Sequence, residues 1–62
     1  MENKSLATAR EVADYFHVPL RTIYQWNYLG TGPTPIKVGR HVRYRWTEVE
    51  KWLDEQSRDN AA

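Results

Sequence analysis

Pro19 divides the first half of the chain into two short segments of helical character. A proline disfavours helical backbone at the residue before it, so the first helix should end near His17. The missing amide of proline costs nothing in the first turn of a helix, so Pro19 fits the start of a second helix. A connection of about three residues is the length found in a helix-turn-helix, although an αα-hairpin has similar loops.

Capping signals predict the limits of the helices. Thr8 and Glu11 form a capping box, in which each side chain accepts a hydrogen bond from the other residue's amide. Gly30 suits the left-handed conformation that ends a helix, so the second helix should run from Leu20 to Leu29. The segment Thr47-Glu48-Val49-Glu50 repeats the capping pattern and predicts the start of a third helix.

Alternating apolar residues predict a β-hairpin before the third helix. With a two-residue turn, the apolar residues of the two strands fall on opposite faces. With a three-residue loop Gly39-Arg40-His41, Val38 pairs with Val42 and Ile36 pairs with Tyr44, so all four share one face. We therefore predict the three-residue loop.

The hairpin also carries a concentration of basic side chains. In the predicted register, Lys37, Arg43 and Arg45 point to the outer face, and Arg40 and His41 lie at the tip. Such a wing suits contact with phosphates or entry into a minor groove, whose negative potential attracts arginine. Charged residues also protect exposed strand edges, but lysine and glutamate usually serve that purpose.

Charge is divided unevenly along the chain, although the formal net charge is only +1. Residues 15–47 contain five basic residues and no carboxylate, whereas the remainder contains four basic residues and all eight acids. Chance clustering in a short chain is one explanation. The other is a positive surface for nucleic acid with an acidic surface elsewhere.

The second helix should present a polar face without acids. At helical spacing Leu20, Ile23 and Trp26 share the inner side. The outer face and its flanks carry Arg21, Thr22, Tyr24, Gln25 and Tyr28. Arginine bridges guanine atoms and glutamine bridges adenine atoms in a major groove, whereas tyrosine and threonine hydroxyls bind phosphates. An ordinary solvated face would mix glutamate with lysine, so we predict that this helix contacts DNA.

The remaining composition argues against other kinds of site. The chain has 62 residues and no cysteine, so it should form one small domain without disulfides or thiolate zinc sites. His17 and His41 lack zinc-ligand spacing, and we predict no metal and no other cofactor. No nucleophile with a base, carboxylate pair or phosphate loop is present, so we do not expect an enzyme. Without an apolar leader or membrane segment, we expect a cytoplasmic protein.

These elements predict an α+β, mostly helical domain: helix, turn, helix, two-stranded wing, helix. We expect this winged helix-turn-helix to occupy residues 6–56, with flexible segments at residues 1–5 and 57–62. A hairpin needs a helical layer behind it, which the first and third helices supply. The core should rest on large side chains at inward positions, namely Phe16, Trp26, Tyr44, Trp46 and Trp52.

Four segments then suggest a family. Residues 9–16, 21–26, 36–45 and 49–53 have the sequences AREVADYF, RTIYQW, IKVGRHVRYR and VEKWL. In this order and spacing they resemble the excisionase-type and AlpA-like winged helix-turn-helix family, which is related to the DNA-binding domain of MerR-type regulators. Pro19 departs from the family, in which serine or threonine usually caps the second helix.

The resemblance implies that the second helix enters the major groove and that the wing around Gly39 meets the neighbouring minor groove or backbone. The family's DNA-facing positions correspond to Arg21, Thr22, Tyr24 and Gln25, and its wing tip corresponds to Arg40. Members include phage recombination directionality factors, which bend attachment-site DNA and direct an integrase toward excision. The implied partners are double-stranded DNA, further copies of the chain and a phage integrase in a bacterial host.

Cooperative assembly is a further expectation, because one small module covers too little DNA for strong selectivity. The acidic remainder of one copy would then face the basic segment of the next. Two alternatives remain open at this point: an AlpA-like transcriptional regulator with the same DNA-binding surface, and a protein-interaction module that does not bind DNA.

Overall fold

Three helices and a two-stranded antiparallel sheet make up the fold in the computed structural model, which describes residues 5–60. The elements in chain order are α1 (Ala9–Phe16), α2 (Leu20–Leu29), β1 (Pro35–Val38), β2 (His41–Tyr44) and α3 (Trp46–Asn60). The two strands form a wing between α2 and α3. The predicted α+β winged helix-turn-helix is confirmed.

The termini of α1 agree with the capping signals. The Thr8 hydroxyl accepts a hydrogen bond from the Glu11 amide (3.1 Å), and the Glu11 carboxylate accepts one from the Thr8 amide (2.9 Å). At the other end His17 has left-handed backbone (φ 62°), and its amide donates to carbonyls of the last turn. The helix therefore ends at Phe16, with His17 as a capping residue.

Pro19 precedes α2 and does not occupy its first turn. No side chain caps this end, and the Pro19 carbonyl accepts a hydrogen bond from the Thr22 amide (3.0 Å). Gly30 ends the helix with φ 79°, and its amide donates to the Asn27 carbonyl (3.3 Å). The predicted glycine terminator is confirmed.

The register of the wing corrects the sequence prediction. The cross-strand pairs are Pro35 with Tyr44, Ile36 with Arg43, Lys37 with Val42, and Val38 with His41. Only Gly39 and Arg40 therefore form the turn, and the predicted three-residue loop is wrong. Gly39 has φ 62° at the first turn position, where a two-residue type II′ turn requires glycine. Turn chemistry decides the register, and Val38 is left 45% exposed on the outer face.

A backbone bridge extends the sheet beside β2. The Ala7 amide donates to the Tyr44 carbonyl (2.7 Å), and the Tyr44 amide donates to the Ala7 carbonyl (2.9 Å). Both residues are buried. This bridge, which the sequence did not predict, holds the start of α1 against the wing.

α3 begins before the predicted capping box. The Arg45 carbonyl accepts hydrogen bonds from two amides of the first turn, at 3.0 Å each. Thr47 therefore lies inside the helix, and the predicted Thr47–Glu50 capping box is wrong. Glu50 instead accepts a hydrogen bond from the Tyr15 hydroxyl of α1.

The ends of the chain differ in what the structure describes. The backbone of residues 57–60 belongs to α3, although the sequence placed these residues in a flexible tail. Of the predicted flexible segment at residues 1–5, the structure describes Ser5. The other residues of the two segments, 1–4 and 61–62, lie outside the described residues. Along residues 5–60, no helix combines the length and the apolar character that crossing a membrane requires.

The core has a small aliphatic centre and an aromatic edge. Its buried side chains are Ala7, Ala9, Val12, Ala13, Ile23, Tyr44 and Val49. The Trp52 ring lies 5.0 Å from the Trp26 ring and 5.5 Å from the Phe16 ring, between centroids. Of the five aromatic residues predicted for the core, Tyr44 is buried, and Phe16, Trp26, Trp46 and Trp52 are half-buried. The large rings therefore cover a thin core and do not fill its centre.

Candidate nucleic-acid interface

The outer face of α2 is open to solvent. Ile23, on the inner side, is 1% exposed, whereas Tyr24 is 57% and Tyr28 is 88% exposed. Arg21 and Gln25 are also exposed, and Thr22 is half-buried at the flank. The predicted inner and outer sides of α2 are therefore where the sequence placed them. Exposed tyrosines outside the core are available to a partner.

Three exposed arginine side chains have no partner among the described residues. Within residues 5–60, the guanidinium groups of Arg21, Arg40 and Arg45 make no hydrogen bond or ion pair. Each keeps all five donors available for an external anion. Arg43 differs, because its Nη1 donates to the Val42 carbonyl (2.8 Å) and its side chain is half-buried.

The corrected register changes which face of the sheet the basic residues of the wing occupy. Lys37 lies opposite Val42, on the face of the sheet that meets the core, although Lys37 itself is exposed. Arg43 lies opposite Ile36 on the other face, and Arg45 follows the strand. Residues opposite each other share a face, so the predicted outward position is wrong for Lys37, whereas Arg43 lies on the outer face as predicted and Arg45 lies beyond the paired residues. The exposed tip consists of Arg40 in the turn and His41 at the start of β2.

A cleft of about 370 Å³ lies between the start of α1, α2 and the wing. Among the described residues its lining contains no carboxylate and consists of Thr8, Ala9, Arg10, Leu20, Tyr24, Arg40, His41, Val42 and Arg43. Four predicted site residues meet here: Tyr24, Arg40, His41 and Arg43. The other six lie outside this lining: Arg21, Thr22, Gln25, Tyr28, Lys37 and Arg45.

Arg10 is the basic residue of the cleft that sequence reasoning missed. It is exposed in the first turn of α1 and reaches the cleft because the Ala7–Tyr44 bridge holds that turn beside β2. The bridge uses backbone groups alone, so no side-chain pattern in the sequence indicates it. Along the chain, Arg10 lies outside the acid-free residues 15–47, and Glu11 and Asp14 are its nearest charged neighbours.

Carboxylates of α3 lie close to the Tyr15 side chain of α1. The hydrogen bond to Glu50 raises the pKa of the Tyr15 phenol, and burial and the charges of Glu50 and Asp54 raise it further. Near the cleft, burial raises the pKa of Tyr44, with a smaller contribution from Tyr24. The surface of α3 thus combines the carboxylates Glu50, Asp54 and Glu55 with Lys51 and Arg58, whereas the charged residues that line the cleft within the described part of the chain are basic.

In residues 5–60, no three His, Asp or Glu side chains are grouped so that they could hold a metal ion.

Comparisons with known proteins bear on the family to which the chain belongs. No individually curated protein matches the chain. The family model described as a helix-turn-helix domain matches residues 8–57, which include α1, α2, the wing and most of α3. The chain therefore belongs to the helix-turn-helix domain family and is a small DNA-binding protein.

Proposed function

We propose that the protein binds a specific DNA sequence, with α2 in the major groove and the wing in the neighbouring minor groove or on its backbone. The observation that carries this proposal is the exposed, acid-free outer face of α2 beside the unpaired arginine of the wing tip. Arg21 and Gln25 have the donors that contact guanine and adenine edges. The proposed phosphate contacts are Thr22, Tyr24, Tyr28, Lys37, Arg40, His41, Arg43 and Arg45.

From the resemblance of the sequence to excisionase-type proteins, we propose that the biological role is that of a phage excisionase. One module of this size buries roughly 600–1,000 Å² on DNA, which limits its selectivity as a monomer. A surface on α3 carries three carboxylates, Glu50, Asp54 and Glu55, against the two cations Lys51 and Arg58, and it shares no residue with the described lining of the cleft. In a row of copies on DNA, this surface faces the basic wing of the next copy. Repeated insertion of wings on one side bends the DNA and presents it to a phage integrase.

The DNA-binding proposal is tested by selecting preferred duplexes from a random library and titrating them against a scrambled duplex. Arg21→Ala should weaken binding to the selected duplex by about 1–3 kcal/mol and remove most of the preference. Arg58→Ala removes the same charge from the exposed surface of α3, outside the lining of the cleft, and should preserve the preference. Equal binding of both duplexes by the wild type, unchanged in Arg21→Ala, contradicts base contact by α2. Absence of binding favours a protein-interaction module.

The assembly proposal needs a duplex with two selected sites in tandem. Wild type should fill the second site more tightly than the first. The double variant Asp54→Lys, Glu55→Lys should bind a single site normally but lose this cooperativity, because like charges then meet between copies. Independent filling of both sites by the wild type contradicts assembly through α3.

The excisionase role requires a functional measurement, because an AlpA-like transcriptional regulator uses the same DNA-binding surface. The assay places the protein with a phage integrase and attachment-site DNA and measures excision, and it measures a promoter reporter in parallel. Stimulated excision that is lost in Arg21→Ala supports the excisionase. A response of the reporter alone supports the regulator.

A further inference from the structure

The cleft beside the wing is formed by three separate elements. Arg10 comes from α1, Tyr24 from α2, and Arg40 and Arg43 from the wing. Two backbone hydrogen bonds between Ala7 and Tyr44, at 2.7 and 2.9 Å, fix the start of α1 to β2. The relative position of Arg10 and the wing is therefore set by the fold and does not depend on a bound partner.

The course of a DNA strand explains what this cleft is suited to hold. A major groove and the adjacent minor groove are separated by one sugar-phosphate backbone. If α2 occupies the first groove and the wing meets the second, that backbone must pass between them. The cleft lies at this position, and its lining includes three arginines, Arg10, Arg40 and Arg43, together with His41.

We propose that the cleft binds a phosphodiester of this strand and that Arg10 is an additional phosphate contact. This inference rests on the proposed binding mode of α2 and the wing. Arginine suits the role because its planar fork of donors matches phosphate oxygens. Glu11, the nearest carboxylate in sequence, is outside the lining, and its Oε1 is bound to the Thr8 amide.

Arg10 is not required by the fold itself. Its side chain is exposed and makes no hydrogen bond or ion pair within the described residues. It lies in the first turn of α1, where the helix dipole disfavours a cation. Arg10→Gln should therefore fold as well as the wild type, so a change in DNA binding reports the lost contact.

The test measures the affinity of wild type, Arg10→Gln and Arg58→Gln for a labelled 20-base-pair duplex between 50 and 200 mM salt. Loss of one phosphate contact should reduce the slope of log affinity against log salt by about 0.9. The advantage of wild type over Arg10→Gln should accordingly fall by about 3.5-fold across this range. The loss should be equal on the selected and scrambled duplexes, because a phosphate contact carries no base information. Arg58→Gln, the matched removal of an exposed arginine, should retain the wild-type slope.

A second measurement locates the contact. Duplexes with one methylphosphonate each remove the charge of a single phosphate along the selected site. At one position the wild type should lose affinity, whereas Arg10→Gln should lose nothing further. An Arg10→Gln slope equal to that of wild type, or additive losses at every phosphate, overturns the inference. If Arg21→Ala behaves as proposed while Arg10→Gln resembles Arg58→Gln, only the role of Arg10 fails. If the wild type does not bind DNA, the proposed function fails as well.

Discussion

Gly32 and Gly30 allow a matched test of how closely the loop after α2 packs on the core. Both have positive φ, 80° at Gly32 and 79° at Gly30. A Cβ atom added at Gly30 meets nothing within 4 Å. At Gly32 it would lie 3.0 Å from the Trp26 Cβ and 3.2 Å from its Cε3. Alanine therefore introduces positive-φ strain at both positions but a steric conflict at Gly32 alone.

The expected magnitudes follow from these two terms. Left-handed backbone destabilises an alanine by about 1–2 kcal/mol. Replacing glycine by alanine also restricts the unfolded chain, which stabilises the fold by about 0.4–1 kcal/mol. Gly30→Ala should therefore lower the free energy of unfolding by about 1 kcal/mol. Trp26 has little room to retreat, because its ring packs against Trp52 at 5.0 Å and Phe16 at 6.1 Å. Overpacking of this kind adds about 1–3 kcal/mol, so Gly32→Ala should cost about 2–4 kcal/mol.

Urea and thermal unfolding, followed by circular dichroism, measure the difference. For a domain of this size, 1 kcal/mol corresponds to about 4–8 °C in melting temperature. Gly32→Ala should therefore melt about 8–16 °C below Gly30→Ala if the conflict costs about 2 kcal/mol. Tryptophan fluorescence should change in Gly32→Ala and not in Gly30→Ala. If the two variants unfold within about 0.5 kcal/mol of each other, the loop does not press on Trp26 and the packing argument is refuted.

The capping boxes and the α1–α3 contact give two further predictions. Thr8→Ala should destabilise the fold by about 1 kcal/mol, because it removes a formed cap, whereas Thr47→Ala should change stability by less than about 0.5 kcal/mol in chemical unfolding; equal losses would restore the capping box at Thr47. The hydrogen bond to Glu50, followed by burial and the nearby carboxylates, raises the pKa of Tyr15 above its ordinary value of 10.0. The neutral phenol is then the favoured folded form, so its contribution is complete below pH 10.0 and is lost as pH rises through the raised value. Tyr15→Phe should lessen the fall in stability above pH 10.0, and an unchanged pH profile would contradict this contact.

Local signals were sufficient for the helix-turn-helix. The Thr8 cap, the break before Pro19 and the Gly30 terminator each act within a few residues, so the sequence contains all the information that they need. The outer and inner sides of α2 follow from helical spacing in the same way. For these reasons, the bounds of α1 and α2 and the exposed face of α2 could be predicted.

Competition between signals explains two of the errors of local structure, in the wing and at the start of α3. In the wing, apolar alternation favoured a three-residue loop, but the geometry of a glycine at the first turn position favours two residues. The two-residue turn is compatible with the core because Val42 and Tyr44 supply apolar side chains to the inner face of the sheet. Val38 therefore remains exposed at little cost in stability. At α3, Glu50 matched a capping pattern, yet its carboxylate is bound to Tyr15, 35 positions away in the sequence.

The candidate site also shows that charged residues must be grouped by their positions in the fold, and not by their positions along the chain, when a binding surface is sought. By sequence position, Arg10 belongs with the acids of α1; in the fold it lies with Arg40 and Arg43 around one cleft. The difference depends on Ala7 and Tyr44, whose backbone groups join the start of α1 to β2. Backbone hydrogen bonds are available to almost every residue type, so this pairing leaves no mark on composition or spacing. A basic surface assembled from three elements therefore becomes visible only when the tertiary contact that joins them is known.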